Sequence, residues 1–121
     1  MNAFLDENAL LSRYDDDVDL IKEIAELFIS DLPTRMSEIK KAIANQDARG
    51  LQMAAHSLKG SVGNFNAREA FAAAQALEAA GREGNLSRAE TSLPELENSV
   101  HLFERGLCEF INKYEHQSVF Q

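Results

Sequence analysis

The stretch DARGLQMAAHSLKGSVGN, residues 47–64, decides the fold class of this chain. Its buried-type apolar side chains recur at steps of three and four residues, at Leu51, Ala55, Leu58 and Val62. This spacing places them on one face of an α-helix, which Asp47 can cap and which should end near residues 64–66. Helical periodicity continues through most of the chain, and no stretch alternates apolar and polar residues as a half-buried strand does. The sequence therefore predicts an all-α domain.

The side of this helix that faces away from the apolar stripe presents a histidine. On a wheel of about 100° per residue, Gln52, Lys59, Gly60 and Gly63 lie within about 60° of His56. Glycine inside a helix costs about 1 kcal/mol relative to alanine, so the two glycines do not serve helix stability. Their missing side chains leave open space in which another protein's active site could close over the imidazole. The lysine can screen the negative charge of a phosphoryl group on that ring.

The segment before this helix predicts a long helical stretch. Its apolar stripe runs through Ile21, Ile24, Phe28, Leu32, Ile39 and Ile43. Either Met36 or Arg35 takes the position between Leu32 and Ile39. Asp16 or Asp17 can serve as its N-cap. Pro33 lies in the middle, so the pattern predicts either one helix that is kinked there or two helices that meet there.

Two further helices are predicted after the helix of residues 47–64. Asn66 and Glu69 have the spacing of a capping box at the start of the first, which should stop within residues 81–85. The stripe of the second comprises Leu86, Ala89, Leu93, Leu96, Val100, Phe103, Leu107, Phe110 and Tyr114. Pro94 lies inside this stripe and allows a helix restart near Leu93.

Two arrangements could bury these stripes, an intramolecular bundle or a dimeric coiled coil along the final helix. Three other amphipathic helices need a partner face, and short connections containing Asn and Gly favour antiparallel neighbours. The sequence therefore favours a single domain over residues 1–121, with its core at about residues 16–114. We expect an antiparallel four-helix bundle with a short additional N-terminal helix.

Composition and charge exclude several classes of function. The 12 Lys and Arg against 20 Asp and Glu give a net charge of −8, which opposes binding to nucleic acid or to an anionic membrane. Apolar runs fall far short of the about 20 residues of a membrane span, and residues 1–11 lack the features of a signal peptide. The single cysteine, Cys108, suits a reducing compartment, so we expect a cytoplasmic protein. His101 and His116 lack metal-ligand spacing, and we expect no metal and no cofactor.

The segment Ala55-His56-Ser57-Leu58-Lys59-Gly60-Ser61 resembles the signature of histidine-containing phosphotransfer (Hpt) domains, modules of two-component phosphorelays. The resemblance extends over about residues 16–114, since the helix order, the Asp31–Pro33 segment and a stop at Gly81 are also similar to the family pattern. It implies a four-helix bundle in which His56 accepts a phosphoryl group from an aspartyl phosphate of a receiver domain. The group would then pass to another receiver.

The resemblance also implies roles for the residues near the histidine. Lys59 matches the basic residue, Gly60 the small residue that lets a receiver approach, and Glu78 the polar position that faces the histidine. The expected docking surface comprises Gln52, Gly60, Gly63 and Glu78. Met53 is a further candidate for an apolar rim around it, as are Phe4 and Leu5 if an N-terminal helix covers that end. The chain departs from the family pattern at Phe65-Asn66-Ala67, where many members have Leu-Gly-Ala. Asparagine tolerates the left-handed backbone conformation better than most residues, so this change should alter little.

Receiver domains and a hybrid sensor histidine kinase are the partners that the resemblance implies. The chain has no Gly-rich phosphate loop and no ATP site, so we expect a monomeric phosphotransfer protein and not an enzyme. Two alternatives stay open. A chemotaxis-type kinase carries a phosphoacceptor domain with the same His-x-x-Lys-Gly pattern, and a helical adaptor could use the same surface without phosphorylation. An adaptor would tolerate loss of His56, whereas a phosphorelay protein would not.

Overall fold

Five helices account for most of the chain between residues 2 and 119. The computed structural model describes the backbone of residues 2–119 and the side chains of residues 2–115. The helices are α1 (Glu7–Arg13), α2 (Val18–Ala44), α3 (Ala48–Gly63), α4 (Arg68–Glu83) and α5 (Leu86–Val119). The described residues contain no strand, so the all-α prediction and the additional N-terminal helix are confirmed.

Side-chain caps fix where the helices begin. Asp17 caps α2 by accepting the backbone N–H of Leu20 at 3.1 Å, and Asp47 caps α3 by accepting that of Gly50 at 2.9 Å. Both caps were among those expected from the sequence. α4 ends at Gly84, which has a φ of 70°, a left-handed conformation that glycine adopts without steric cost.

The two prolines do not interrupt their helices. α2 passes through Pro33 as a single helix, which selects one of the two expected possibilities. α5 runs from Leu86 through Pro94 as a single helix, so the restart near Leu93 that Pro94 allows does not occur. The start signal of α5 is Asn85, whose Oδ1 accepts the backbone N–H of Arg88 at 3.0 Å. Both prolines are exposed, and each removes one backbone donor from a helix that packing holds on its other face.

The expected capping box at the start of α4 is also wrong. α4 begins at Arg68 after Ala67, which provides no side-chain cap. Asn66 instead has a φ of 58°, and its Oδ1 accepts the guanidinium N–H of Arg13 at 2.8 Å. The expectation that Asn66 tolerates a left-handed backbone is thereby confirmed, and its side chain is used to hold α1 against the α3–α4 connection.

The core lies where the apolar stripes of the long helices meet. α2 packs on α3 and α5, α4 packs on α3 and α5, and α1 lies on α2. The α3 stripe at Leu51, Ala55, Leu58 and Val62 is fully buried, as its spacing predicts. Three aromatic rings, those of Phe28, Phe65 and Phe103, meet in this core with centroids 5.3–5.6 Å apart.

α3 and α4 approach each other closely at Gly81. α4 ends at Glu83, within the expected range of residues 81–85, so Gly81, which the resemblance gave as the stop, lies inside the helix. A Cβ at this position would lie 2.6 Å from the backbone nitrogen of Gln52 and 2.8 Å from the carbonyl oxygen of Ala48. Only glycine therefore lets the two backbones come this close.

Replacing Gly81 with alanine should destabilise the protein. The added methyl group meets backbone atoms of α3 that cannot rotate aside, and we expect Gly81→Ala to lower the free energy of unfolding by about 1–3 kcal/mol. The matched control is Gly60→Ala, because a Cβ at Gly60 would meet nothing within 4 Å. That variant should gain about 0.5–1 kcal/mol from helix propensity. Urea unfolding followed by circular dichroism measures both, and equal stabilities of the two variants would contradict the close approach.

Candidate functional site

The packing of α3 sets the direction of the His56 side chain. Because the stripe through Leu51, Ala55 and Leu58 faces the core, the residue that follows Ala55 points away from it. The His56 side chain is 68% exposed. The exposed imidazole predicted from the helical wheel is therefore present.

A buried carboxylate from α4 supports this exposed ring. Glu78 Oε2 lies 2.5 Å from His56 Nδ1, and Glu78 Oε1 accepts a hydrogen bond from Lys59 Nζ at 2.7 Å. The Glu78 side chain is 6% exposed, and within the described residues it is the charged residue that the fold buries. The resemblance implied that Glu78 faces the histidine from the next helix, and the structure joins the three side chains in one network.

The network keeps the carboxylate ionised. The hydrogen bond from Lys59 lowers the pKa of Glu78 below its ordinary value of 4.5, the His56 hydrogen bond acts in the same direction, and burial partly opposes both. An ionised carboxylate only accepts hydrogen bonds, so the neutral imidazole must carry its proton on Nδ1. The lone pair of His56 is then on Nε2, which is available to react on the exposed side of the ring.

Two residues that the sequence reasoning did not assign to the site lie beside this network. Arg82 Nη2 is 3.9 Å from Glu78 Oε1, and Lys59 Nζ lies 5.9 Å from the centre of the Phe71 ring. Arg82 lies four residues after Glu78 and Phe71 lies seven residues before it, on the face of α4 that packs towards α3. This spacing could have identified them once Glu78 was placed against His56.

The two glycines near His56 have different surroundings. A Cβ at Gly60 would meet nothing within 4 Å, so the predicted open space beside the histidine is present. A Cβ at Gly63 would lie 3.6 Å from the ring of Phe71, an ordinary packing contact with α4. Gln52 is half-buried beside Gly81, and Met53 is 62% exposed.

The N-terminal residues considered for the apolar rim lie elsewhere. Leu5 is buried in the core, and Phe4 and Leu5 pack against α5 at Gly106, where an added Cβ would lie 2.9 Å from Leu5 Cβ. The Phe4 ring also lies under the guanidinium of Arg105, at 5.1 Å from the centre of the ring. These contacts attach the N-terminal segment to α5, so its expected place in a rim around His56 is wrong.

The described residues contain no group of side chains suited to hold a metal ion and no helix suited to span a membrane. No three side chains of His, Cys, Asp or Glu come together there as a metal site would require, and the side chain of His116 lies outside the described residues. None of the helices in the described part of the chain combines the length and the apolar character needed to cross a bilayer.

Comparison with protein families decides the membership of the chain. The family model of the Hpt domain matches residues 23–106, which is more than half of the 121 residues. The chain belongs to the Hpt domain family. Neither a curated protein nor a solved structure matches it. The resemblance noted in the sequence is thereby confirmed, and membership supports a general role in histidine phosphotransfer within a phosphorelay. Hpt domains are phosphotransfer modules without an ATP site of their own, and they interact with receiver domains and kinases.

The ionised Glu78 of this Hpt domain should make its stability depend on pH. Because the folded-state pKa is lowered, the carboxylate stabilises the fold above the ordinary pKa of 4.5, and this contribution is lost as the pH falls through the folded-state pKa. We therefore expect the unfolding free energy of the wild type to exceed that of Glu78→Gln by more at about pH 7 than at about pH 3.

Urea unfolding at both pH values provides the measurement. The matched control is Gln75→Ala, an exposed residue of the same helix that does not titrate, and its difference from the wild type should be the same at both pH values. An equal difference for Glu78→Gln at the two pH values would show that the buried carboxylate does not stabilise the fold through its charge.

Proposed function

We propose that this Hpt domain is a phosphorelay intermediate in which His56 accepts a phosphoryl group from a receiver-domain aspartyl phosphate and passes it to another receiver. The observation that carries the proposal is the orientation of one ring. His56 Nδ1 is held by the buried carboxylate of Glu78, so Nε2 faces outward next to the open space at Gly60. The hydrogen bond fixes the orientation of the ring and places the lone pair of the neutral imidazole on Nε2, the nitrogen that a partner can reach.

The transfer step uses the lone pair of His56 Nε2. It attacks the phosphorus of the aspartyl phosphate, the N–P bond forms, and the bond from phosphorus to the aspartate oxygen breaks, which releases a carboxylate. The proton on Nδ1 stays in its hydrogen bond to Glu78, and the positive charge that develops on the ring is stabilised by that carboxylate. In the second step, the aspartate carboxylate of another receiver attacks the same phosphorus and the N–P bond breaks.

Lys59 supports this chemistry through its charge. Its ammonium group is bound to Glu78 Oε1 on the side of the carboxylate away from His56, so it offsets the negative charge that Glu78 adds near an incoming phosphoryl group. Without this cation, a buried carboxylate next to phosphohistidine would repel the phosphoryl group. We assign His56 as the phosphoacceptor, Lys59 as charge support and Glu78 as a positioning residue.

The architecture and partners complete the proposal. We propose that α2 to α5 form an antiparallel four-helix bundle within a single domain whose core is about residues 16–114, and that the protein is a cytoplasmic monomer. A hybrid sensor histidine kinase and receiver domains would be its partners, and the divalent cation of the reaction would belong to the receiver. Gln52, Gly60 and Gly63 would contribute to docking, whereas the burial of Glu78 suits it to hold the ring from beneath.

Phosphorylation by a small donor tests the acceptor. After incubation with phosphoramidate, intact-mass analysis should show one acid-labile phosphoryl group on the wild type and none on His56→Gln, because His56 presents a free ring nitrogen held in position. His101→Gln is the matched control, since it removes an exposed histidine of α5, and it should be labelled like the wild type. Circular dichroism confirms that each variant is folded.

The outcome also separates the phosphorelay from an adaptor. A folded wild type that stays unlabelled, or a His56→Gln variant that is labelled equally, would contradict the proposal and favour a helical adaptor that is not phosphorylated.

The position of the phosphoryl group on the ring is a second prediction. Because the Nδ1–H group of His56 donates a hydrogen bond to Glu78, phosphorus NMR of the labelled wild type should show phosphorylation at Nε2 of His56. In Glu78→Ala this hydrogen bond is absent, so labelling should be slower and should include the Nδ1 isomer. Labelling of the wild type at Nδ1 would show that Glu78 does not fix the ring in the reacting state.

A further inference from the structure

Negative charge is absent from the helix that carries His56. α3 contains no Asp or Glu, although the chain has 20 acidic residues. The carboxylate that precedes α3, that of Asp47, caps the helix by binding the backbone N–H of Gly50. The carboxylate that α4 directs towards α3 belongs to Glu78, and it is buried. The exposed surface of α3 therefore carries no negative side chain.

Positive charge surrounds His56 instead. Arg49 is exposed two turns before His56 on the same side of α3, about 10 Å away along the helix axis. It forms no ion pair with any of the residues that the structure describes. Lys59 and Arg82 share the one carboxylate of Glu78, and the Arg82 side chain is 60% exposed. We call Arg49, Lys59 and Arg82 the cationic face.

The exposed acidic residues lie mainly on other helices. Exposed carboxylates of α2 and α5 include Asp19, Glu23, Glu26, Asp31, Glu38, Glu90, Glu95, Glu97, Glu109 and Glu115. α5 packs mainly on α2 and α4, so it lies away from the exposed side of α3. The exposed carboxylates that contribute to the net charge of −8 thus lie mainly on helices other than α3.

We propose that the cationic face around His56 is an electrostatic docking surface that attracts the acidic face of a receiver domain to an otherwise negative protein. The inference rests on the proposed function, because the partner is then a receiver domain. Such a domain brings the negative charge of its aspartyl phosphate to His56. A partner with this negative group is repelled by the net charge of the chain as a whole. The cationic face reverses that repulsion at the point of contact.

Screening explains why the local charges outweigh the net charge. At physiological salt, charges more than about 8–10 Å from the contact contribute little. Lys59 and Arg82 lie at the Glu78 carboxylate that binds His56, and Arg49 lies about 10 Å from His56 on the exposed face of α3 that a docked partner would cover. The exposed carboxylates of α2 and α5 belong to other helices. A partner near the histidine therefore experiences a positive surface, and oppositely charged faces raise association rates by about tenfold or more.

Apolar area on the same side allows the attracted partner to remain bound. Met53 of α3 is 62% exposed, and Phe71 of α4 is 37% exposed beside Gly63 and Lys59. Large exposed apolar side chains surrounded by charged groups are typical of protein contacts. Their position extends the docking surface from α3 onto α4.

Charge reversal at Arg49 provides the test. The probe is a receiver domain phosphorylated with acetyl phosphate, and the measurement is the second-order rate constant of phosphoryl transfer to the chain in rapid-mixing experiments. We expect Arg49→Glu to lower this rate constant by about fivefold or more at about 0.02 M salt, and the difference to disappear at about 0.5 M salt. Arg49→Lys, which keeps the charge, should behave like the wild type.

The matched control reverses a charge on another surface. Arg105→Glu changes the charge of α5 by the same amount, and it should leave the rate constant within about twofold of the wild type. Circular dichroism and urea unfolding of each variant show that it is folded. If Arg49→Glu and Arg105→Glu slow transfer equally, net charge and not the cationic face controls docking, and the inference is wrong.

Two other results separate the inference from the proposed function. If phosphoramidate labels His56 of the wild type but transfer from the receiver does not depend on Arg49 at any salt concentration, His56 is the acceptor and the docking inference fails alone. If phosphoramidate does not label His56, the proposed function itself fails.

Analytical ultracentrifugation of the wild type at low salt tests a different occupant of the cationic face. A dimer that Arg49→Glu dissociates would show that the cationic face binds the acidic surface of a second copy, which overturns the receiver inference.

Discussion

The close approach of α3 and α4 at Gly81 is the constraint on which the site depends. Without a Cβ at that position, the backbone of α4 comes against Ala48 and Gln52, and Glu78 lies one turn further towards the level of His56. A carboxylate loses much hydration free energy when it is buried, so its place between Lys59 and His56 is needed to hold it there in its charged form. Helix packing and the state of the reactive ring are therefore set by the same contact.

This arrangement divides the work between two helices. α3 presents His56 on an exposed surface, where a side chain would ordinarily rotate freely and exchange its ring proton between two nitrogens. α4 supplies one buried acceptor, which fixes the ring and leaves Nε2 without a proton. Lys59 lies on the same helix as His56 but binds the other oxygen of that carboxylate, so the charge of Glu78 is offset where a phosphoryl group would arrive.

Much of the fold and the centre of the site follow from sequence patterns, because both depend on local spacing. The buried stripe at Leu51, Ala55, Leu58 and Val62 and the caps at Asp17 and Asp47 could be read from the sequence. The contacts of Asn66, Gly63 and Leu5 could not, since each depends on which part of another helix lies opposite. Asn66 binds Arg13 from fifty-three residues away, and no spacing within α4 indicates that contact. The same limit explains why Arg82 and Phe71 were missed while Glu78 was identified through the resemblance.

The three glycines Gly60, Gly63 and Gly81 show that residue type alone does not assign a function. Gly81 permits backbone contact, Gly63 meets an aromatic ring, and Gly60 faces open space. Of the three, only Gly60 is not explained by packing within the described residues. A glycine inside a helix costs about 1 kcal/mol relative to alanine, and none of the described residues fills the space beside Gly60. A contact with another protein is the physical reason that remains for this glycine. The same reasoning applies to the unpaired charge of Arg49, and both residues lie on the surface that presents His56.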